Sequence, residues 1–376
     1  MILLCLPSHL DDAVVRGLAA YGQEGRIARR CGDLAEVLAG VEAGLGDVVL
    51  LSGEEPLLDL SLVSQLRREG AMVGVVPGSR PAKEVEALGA IVVAETDMVA
   101  FVRGTISDGQ TAAQPPRGKI VAVWGPGGST GRSALVRDLA AICPDVMVVD
   151  GDTQRPSLTQ MYGLEETSAI VALARHIERG KDPQEILDSV LVDLPGRDAG
   201  RPGRLLAGLN TGERWRELPR VVVERMWQPL AGQAQTVLID LAGGMESRPG
   251  REDRHALTRS ALEAADVVLH VGWGSPVGLR RFVEHLDSVG TDRPGMHRGV
   301  VVLSEHGLGM GGRAKVAELL AGAPMACHLI RGDRRRAEQC ELEGRALTQA
   351  FPRSGYSKDV AALWRALELE ATGSRG

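Results

Sequence analysis

The sequence has 376 residues, more than one ordinary domain holds, so two domains are predicted. Hydrophobic residues make up 44% of the chain and aromatic residues 3%, which indicates a globular protein whose core consists mainly of leucine, valine and alanine. A net charge of -6 disfavours a general nucleic-acid-binding protein.

The first hundred residues alternate short apolar runs with amphipathic segments. Five runs are predicted to be strands: ILLCL, RIARRC, DVVLL, MVGVV and IVVA. The segments between them are predicted to be helices: DDAVVRGLAAYG, DLAEVLAGVEAG, LSLVSQLRREG and AKEVEALG. Because strands that alternate with helices form a doubly wound parallel sheet, we predict an α/β, flavodoxin-like domain over residues 1–107. This layout resembles the receiver domain of response regulators.

The resemblance to receiver domains extends to the fold but not to the phosphoryl-accepting residues. Ser52 stands where the third strand of a receiver is followed by its phosphoryl-accepting aspartate, and Glu95 stands where the fifth is followed by lysine. Glu54 and Glu55 are not expected to substitute, because a shift along the chain misplaces a metal ligand. We therefore predict a pseudo-receiver domain that serves docking or dimerisation.

Residues 108–118 are predicted to be a linker. The segment is polar and small, and Pro115 and Pro116 favour an extended conformation. The chain before it is acidic, whereas the chain after it is close to neutral. A second, larger domain is therefore predicted over residues 119–376.

The second domain begins with a strand, a glycine-rich turn and a helix: KIVAVW, GPGGSTGRS and ALVRDLAAI. Backbone N–H groups in such a turn, together with the helix N-terminus, bind anions, and Ser133 offers a hydroxyl at the start of the helix. The alternative is a tight turn that uses glycine only for its backbone angles. The segments that follow favour a phosphate-binding loop.

Two later strands end in aspartates. The strand in MVVDGDT ends at Asp150, with Asp152 two residues further on, and the strand in TVLIDLAGG contains Asp240. ADVVLHVGW and RGVVVL are further predicted strands of a mostly parallel sheet. Each aspartate could instead cap a helix or make the end of a strand more soluble. Two strands that both end in aspartates beside a glycine-rich loop nevertheless favour a binding site.

The order of these motifs resembles that of the MinD/ParA group of P-loop ATPases. Within that group the sequence is most similar to the CpaE/TadZ-like branch, which includes the actinobacterial septum-site-determining type. Proteins of that branch join a degenerate receiver-like domain to a MinD/ParA-like P-loop NTPase domain, so the resemblance covers nearly the whole chain. It implies ATP and Mg²⁺ as cofactors, a homodimer, and protein partners in cell division or in pilus and secretion machinery.

The resemblance also implies roles for individual residues. Asp152 corresponds to the catalytic aspartate that orients the attacking water, and Gly243 or Gly244 corresponds to the segment that senses the γ-phosphate. The implied metal-site residues are Ser133, Asp150 and Asp240. The implied nucleotide-binding residues are Gly127, Gly128, Ser129, Thr130, Gly131, Arg132, Ser133 and Ala134.

The loop departs from the family pattern K-G-G-x-G-K-[ST] at both lysines. Gly127 takes the place of the early lysine, which acts across the dimer in the family, and Arg132 takes the place of the second. Arginine keeps the charge, but its planar group does not reproduce an ammonium. Because a cation directed at the transferred phosphoryl group contributes about 10³–10⁵ in rate, we predict that ATP binding survives while hydrolysis is weak or absent. Ser304 lies near the position of the family's adenine-side asparagine.

Three other functions remain open at this level. A nucleotide-free pseudo-ATPase scaffold is favoured by Gly127 and Arg132. An active ParA-type DNA-partitioning ATPase is disfavoured by the acidic balance and the altered loop. A phosphorylated response regulator is disfavoured by Ser52.

Two amphipathic segments near the C-terminus have competing interpretations. The run GDRRRAEQCELEGR is predicted to be a solvated helix with internal ion pairs, rather than a DNA-binding patch. The segment DVAALWRALELEATG carries an apolar stripe, and its acidic residues Glu368 and Glu370 favour a packing helix over a membrane-binding one.

Cysteine and histidine spacing indicates no further site. The five cysteines show no C-x-x-C spacing, and the histidines are scattered without the spacing of metal ligands. The N-terminus lacks the basic region of a signal peptide, and no apolar run is long enough to span a bilayer. We therefore expect a cytoplasmic protein, and the family resemblance implies enrichment at a cell pole or septum.

Overall fold

A computed structural model describes residues 1–104, 117–128, 130–197, 203–245, 253–289, 296–303, 310–323 and 325–373. The chain divides into two compact units. One unit comprises Met1–Pro115 with Leu173–Ile186, and the other comprises Pro116–Ala172 with Leu187–Gly376. Most of the predicted linker lies outside the described residues.

Within residues 1–104, a five-stranded parallel sheet has the order β2-β1-β3-β4-β5. Its strands are β1 (Ile2–Cys5), β2 (Ile27–Arg30), β3 (Val48–Ser52), β4 (Met72–Val76) and β5 (Ile91–Val92). The helices of this part are α1 (Ser8–Ala19), α2 (Leu34–Glu42), α3 (Leu60–Arg68), α4 (Ala82–Ala87) and α5 (Met98–Val102). The order is that of a flavodoxin-like sheet, as predicted.

The sequence forms this sheet because its central strands are apolar on both faces. All residues of β1 and β3 are buried, whereas the edge strand β2 is mostly exposed and carries arginines. Gly74 in β4 is required for packing, since a Cβ there would lie 2.5 Å from the ring of Phe101 in α5. The helices and strands thus close one apolar core.

The polar side chains after the strands of this sheet bond to the protein itself. The carboxylate of Asp11 pairs with Arg30, and the Ser79 backbone N–H donates to the Glu54 carboxylate. The Ser52 hydroxyl is buried and accepts a hydrogen bond of 3.2 Å from the Glu54 N–H. These contacts hold the strand ends together and give Glu54 a structural role.

Among the described residues from 117 onward, an eight-stranded sheet has the order β13-β12-β11-β6-β10-β7-β9-β8. Its strands are β6 (Lys119–Trp124), β7 (Val146–Gly151), β8 (Leu191–Asp193), β9 (Gly203–Leu206), β10 (Thr236–Leu241), β11 (Val267–Trp273), β12 (His297–Leu303) and β13 (Ala326–Arg331). The pairing of β8 with β9 is antiparallel and the other pairings are parallel. The mostly parallel α/β sheet confirms the predicted fold class.

The helices that follow β6 alternate with these strands. They are α6 (Arg132–Ile142), α7 (Leu158–Met161), α8 (Ala169–Glu178), α9 (Gln184–Val190), α10 (Arg220–Glu224), α11 (Trp227–Ala231), α12 (Ala256–Ala264), α13 (Pro276–Ser288), α14 (Met310–Leu320), α15 (Arg334–Leu342), α16 (Leu347–Ala350) and α17 (Gly355–Gly373). In the sheet, β10 lies between β6 and β7, and Asp240 is in register with Val123 on one side and Asp150 on the other. This register brings the glycine-rich turn and both predicted carboxylates to one edge.

The C-terminal helix α17 packs into the core, as predicted. Val360, Leu363 and Leu367 are buried in the same apolar cluster as residues of α6. The Tyr356 hydroxyl donates a hydrogen bond of 2.8 Å to the buried Asp138 of α6. Burial raises the pKa of that carboxyl, whereas its hydrogen bonds lower it. No helix in the described parts of the chain has both the length and the hydrophobicity needed to cross a bilayer.

The arginine-rich helix α15 has internal ion pairs, as predicted. Arg334 pairs with Glu338, and Arg336 pairs with Asp333, each at 2.7 Å. These pairs reduce the charge available for a DNA contact.

A chain of three histidines joins β11, α13 and β12. His270 shares a hydrogen bond of 3.0 Å with His285 and another of 2.9 Å with His297. The ring of Trp124, at the end of β6, lies edge-on to His285 with 4.5 Å between ring centroids. Burial lowers the pKa of His270 to about 3 and that of His285 to about 4, so both are neutral at pH 7. The chain fixes α13 against the strand that leads into the glycine-rich turn.

The burial of Leu363 predicts a large loss of stability on truncation. Leu363→Ala should lower the free energy of unfolding by about 2–5 kcal/mol, because a core leucine leaves a cavity. Leu342→Ala is the matched control, since Leu342 is 92% exposed. Urea unfolding of both variants measures the difference, and equal stability would contradict the packing of α17.

The neutral histidines predict a loss of stability in acid. An unfolded histidine takes up a proton below its ordinary pKa of 6.5, whereas His285 does so only near 4, so the stability present above pH 6.5 is lost as the pH falls towards 4. In His285→Gln, the fall between pH 7 and pH 5 should be smaller by roughly 1–2 kcal/mol.

Urea titrations at the two pH values measure this effect. The exposed His9 supplies the control, and His9→Gln should follow the wild-type dependence. A His285→Gln profile identical to that of the wild type would disprove the role of His285.

Candidate functional site

The turn between β6 and α6 has a backbone that requires glycine. Gly128 has φ 107° and Gly131 has φ 85°, values that residues with a side chain rarely adopt. Gly131 is the N-cap of α6 and offers no side-chain acceptor to the first N–H groups of the helix. Those groups can bind an anion. Ser129, which the sequence places in this turn, lies outside the described residues.

The other predicted loop residues have different surroundings. Gly127 is exposed, and a Cβ there would meet only the Gly243 carbonyl oxygen, at 3.8 Å. Thr130 is buried, and its hydroxyl accepts a hydrogen bond from Arg132. Ala134 packs against the apolar core. Position 127 therefore has room for a side chain.

The guanidinium of Arg132 bonds to the turn itself. Its N–H groups donate to the carbonyl oxygens of Pro126 at 2.9 Å, Leu241 at 3.2 Å and Gly128 at 3.4 Å, and to the Thr130 hydroxyl at 3.0 Å. The group therefore bridges the turn and the end of β10. A Cβ on Gly243 would lie 2.7 Å from the Pro126 carbonyl oxygen, a backbone atom that cannot move aside, so glycine is needed there.

Asp240 is a buried carboxylate without a hydrogen-bond partner among the described residues. It is 0% exposed, and neither of its oxygens has a partner with good geometry. Burial, together with the charges of Asp150 and Asp152, raises its pKa to about 8, although the Ser133 hydroxyl and the Arg132 charge lower it. The carboxyl thus lies beside Ser133 and Arg132 at the start of α6, but neither gives it a hydrogen bond of good geometry.

Asp150 and Asp152 are bonded to backbone groups. Asp150 accepts from the N–H groups of Leu158 at 2.9 Å, Ser157 at 3.1 Å and Asp152 at 3.3 Å. Burial raises its pKa to about 7, and these N–H groups oppose that shift. One oxygen of Asp152 accepts from the N–H groups of the two residues at 154 and 155. Asp150 therefore closes the turn that leads to α7.

The side chains at this edge fit Mg²⁺ only in part. Within the described residues, no three His, Cys, Asp or Glu side chains could hold a metal ion together. Mg²⁺ usually keeps several waters and takes one or two carboxylates plus phosphate oxygens, so Ser133 and the unpartnered Asp240 suit it. Three N–H groups bond to the oxygens of Asp150, so it has less accepting capacity left than Asp240, and it stays a proposed ligand beside Ser133 and Asp240.

A second segment lies beside the turn that follows Asp152. A Cβ on Gly212 would approach the Gln154 carbonyl oxygen to 2.6 Å, so this glycine allows close packing. Arg214 donates to the Ser168 hydroxyl at 2.8 Å and to Glu217. The segment forms a 3₁₀ helix, Gly212–Glu217, that supports the turn.

Three further features bear on the predicted site: the adenine-side Ser304, the switch glycine Gly244 and the histidine chain. Ser304 lies outside the described residues. Gly244 has φ 72°, and its N–H donates to the Gly125 carbonyl at 2.9 Å, which holds the end of β10 against the turn. The histidine chain was missed, because His270 and His285 meet only after β11 and α13 have packed.

Comparison with known proteins identifies the fold. No family model matches the sequence, and no curated protein matches it either. A ParA family ATPase from Chlorobium tepidum TLS has 17% sequence identity and a TM-score of 0.52, covering 66% of this chain and 98% of that chain. The cell division ATPase MinD from Pyrococcus furiosus has 17% identity and a TM-score of 0.51, and the match covers 67% of this chain and 98% of that chain.

A further solved structure is the septum site-determining protein MinD complexed with Mg-ADP from Pyrococcus horikoshii OT3. It has 15% identity and a TM-score of 0.50, and the match covers 67% of this chain and 97% of that chain. At such identities the likeness concerns the fold alone. This chain therefore contains the α/β fold found in MinD and ParA-type P-loop NTPases.

Proposed function

We propose that this protein is a spatial regulator of the MinD/ParA type, in the CpaE/TadZ or septum-site-determining branch, that binds Mg-ATP and hydrolyses it slowly or not at all. The observation that supports this most directly is the buried, unpartnered carboxylate of Asp240 beside Ser133. A buried carboxylate without a partner is costly, and a metal-bound water would satisfy it.

The residues of the turn have distinct roles in this proposal. Ser133, Asp150 and Asp240 would hold Mg²⁺, which would neutralise part of the phosphate charge. The N–H groups between Gly128 and Ser133 would bind phosphate oxygens at the start of α6. Asp152 would orient a water, and the N–H groups bonded to one of its oxygens fix its position.

Weak hydrolysis is expected because no described residue of the turn directs a free cation at the phosphoryl group that would be transferred. Gly127 carries no charge, and the Arg132 guanidinium is bonded to neutral oxygens of the protein. Cations directed at the transferred phosphoryl group contribute about 10³–10⁵ in rate. Their absence should slow the chemical step more than it weakens binding.

The proposed biological role is to mark a position in the cell. A pseudo-receiver domain over residues 1–107 would dock to a partner or to a second copy, and a nucleotide-binding domain over residues 119–376 would form a homodimer. ATP would act by stabilising the state that partners recognise. We propose division or pilus and secretion machinery as partners, and a cytoplasmic location enriched at a pole or septum.

A nucleotide-free scaffold is the second candidate. The contacts of Arg132 favour it, since its Nε and Nη1 groups already donate four hydrogen bonds to the protein and a phosphate oxygen would have to displace one of them to bind there. In that case the turn would be a structural element, and partners would bind independently of ATP.

Calorimetry with Mg-ATP decides between the two candidates. The wild-type protein should bind, and Gly131→Ala should abolish binding because a side chain is strained at φ 85°. Gly70→Ala is the matched control, since Gly70 has φ 86° and no neighbour within 4 Å of a Cβ. An absence of both binding heat and thermal shift in the wild type would favour the scaffold.

Replacement of the missing lysine should increase turnover. Gly127→Lys adds a cation at a position with room for it, and phosphate release should rise by about tenfold or more. Gly127→Gln adds a side chain without charge and should leave the rate low. Asp152→Asn in the Gly127→Lys background should remove the gain. Unchanged turnover with intact Mg-ATP binding would mean that another feature limits hydrolysis.

A further inference from the structure

An arginine on α13 lies over the glycine-rich turn. The Nη1 atom of Arg281 is 3.8 Å from the position that a Cβ on Gly128 would occupy. The residue is exposed, and no carboxylate or carbonyl among the described residues bonds to its guanidinium. Its charge is therefore available to a ligand at the turn.

The helix that carries Arg281 is fixed on both sides of this residue. A Cβ on Gly272 would lie 2.5 Å from the Phe282 ring, and a Cβ on Gly278 would lie 2.3 Å from the Trp273 carbonyl oxygen. His285, one turn after Arg281, bonds to His270. Residues four apart lie on the same helix face, so Arg281 lies on the face of α13 that His285 holds against β11.

The turn lacks a cation where a polyphosphate would need one. Gly127 has no side chain, and the Nε and Nη1 groups of Arg132 donate to four oxygens of the protein, which holds its guanidinium between the turn and the end of β10. Arginine can bind phosphate oxygens through two parallel N–H groups. Among the described residues, Arg281 is a cation next to the turn that is not already bonded.

We infer that Arg281 binds the phosphate chain of the nucleotide from within the same subunit, in place of the cation that the turn lacks at Gly127. This inference rests on the proposed function, since it requires a polyphosphate at the turn. The ligand class is a nucleoside di- or triphosphate, and inorganic tripolyphosphate should share the contact. Arg281 thus binds the phosphate chain, and the positive charge beside the glycine-rich turn comes from a side chain of α13.

Substitution of Arg281 tests the contact. Arg281→Ala should weaken Mg-ATP and tripolyphosphate binding by about 10- to 100-fold, as expected for a charge-assisted hydrogen bond. Arg281→Lys should retain part of the affinity, because the charge remains. Arg280→Ala is the matched control, since Arg280 is the preceding residue and pairs with Glu284 at 2.9 Å. It should change affinity by less than about twofold.

Calorimetry on the full chain measures these affinities, and circular dichroism checks that each variant is folded. Wild-type binding should also weaken with added salt more steeply than binding to Arg281→Ala. Equal affinity of wild type and Arg281→Ala would overturn the inference and leave the proposed function intact. No binding by the wild type would overturn the proposed function, and the inference with it.

Discussion

The balance of charge around Asp240 is the constraint on which the whole site depends. The carboxylate lies at the end of a central strand, in register with Asp150, and no hydrogen bond satisfies it among the described residues. Burial raises its pKa to about 8, so at neutral pH it is largely protonated unless a cation arrives. A proton and a hydrated Mg²⁺ are therefore alternative ways to satisfy the same position, and the two candidate functions differ in which of them is used.

Arg132 does not resolve this imbalance, because its Nε and Nη1 groups donate to oxygens other than those of Asp240. Its charge lowers the pKa of Asp240, but its N–H groups bond to carbonyl oxygens of the turn and of Leu241. A flexible ammonium can turn towards a phosphate, whereas a planar guanidinium with several fixed acceptors loses those bonds when it moves. Arg132 therefore stabilises the turn, and a ligand could use its Nε and Nη1 groups only if these bonds broke.

The sequence predicted the parts of the site that local patterns define. Buried parallel strands are continuous apolar runs, so β6, β7 and β10 and the carboxylates at their ends could be located in advance. The N–H groups of Ser157 and Leu158 that bond to Asp150 could not be foreseen, because their positions depend on how the following turn folds. The proximity of Arg281 to Gly128 depends on the packing of α13 over 150 residues away, which no local spacing encodes.

The bonds of Arg132 also provide a physical route from a bound phosphate to the rest of the protein. A ligand can shift a conformational equilibrium only if it binds one state better than the other. The guanidinium joins Pro126 in the turn to Leu241 at the end of β10, and Gly243 follows two residues later. A phosphate that attracts this group would loosen the join, whereas α13 would stay in place because Phe282 and His285 are buried. On the proposed function, the bond between Arg132 and Leu241 at the end of β10 is thus the contact that a bound phosphate would weaken first.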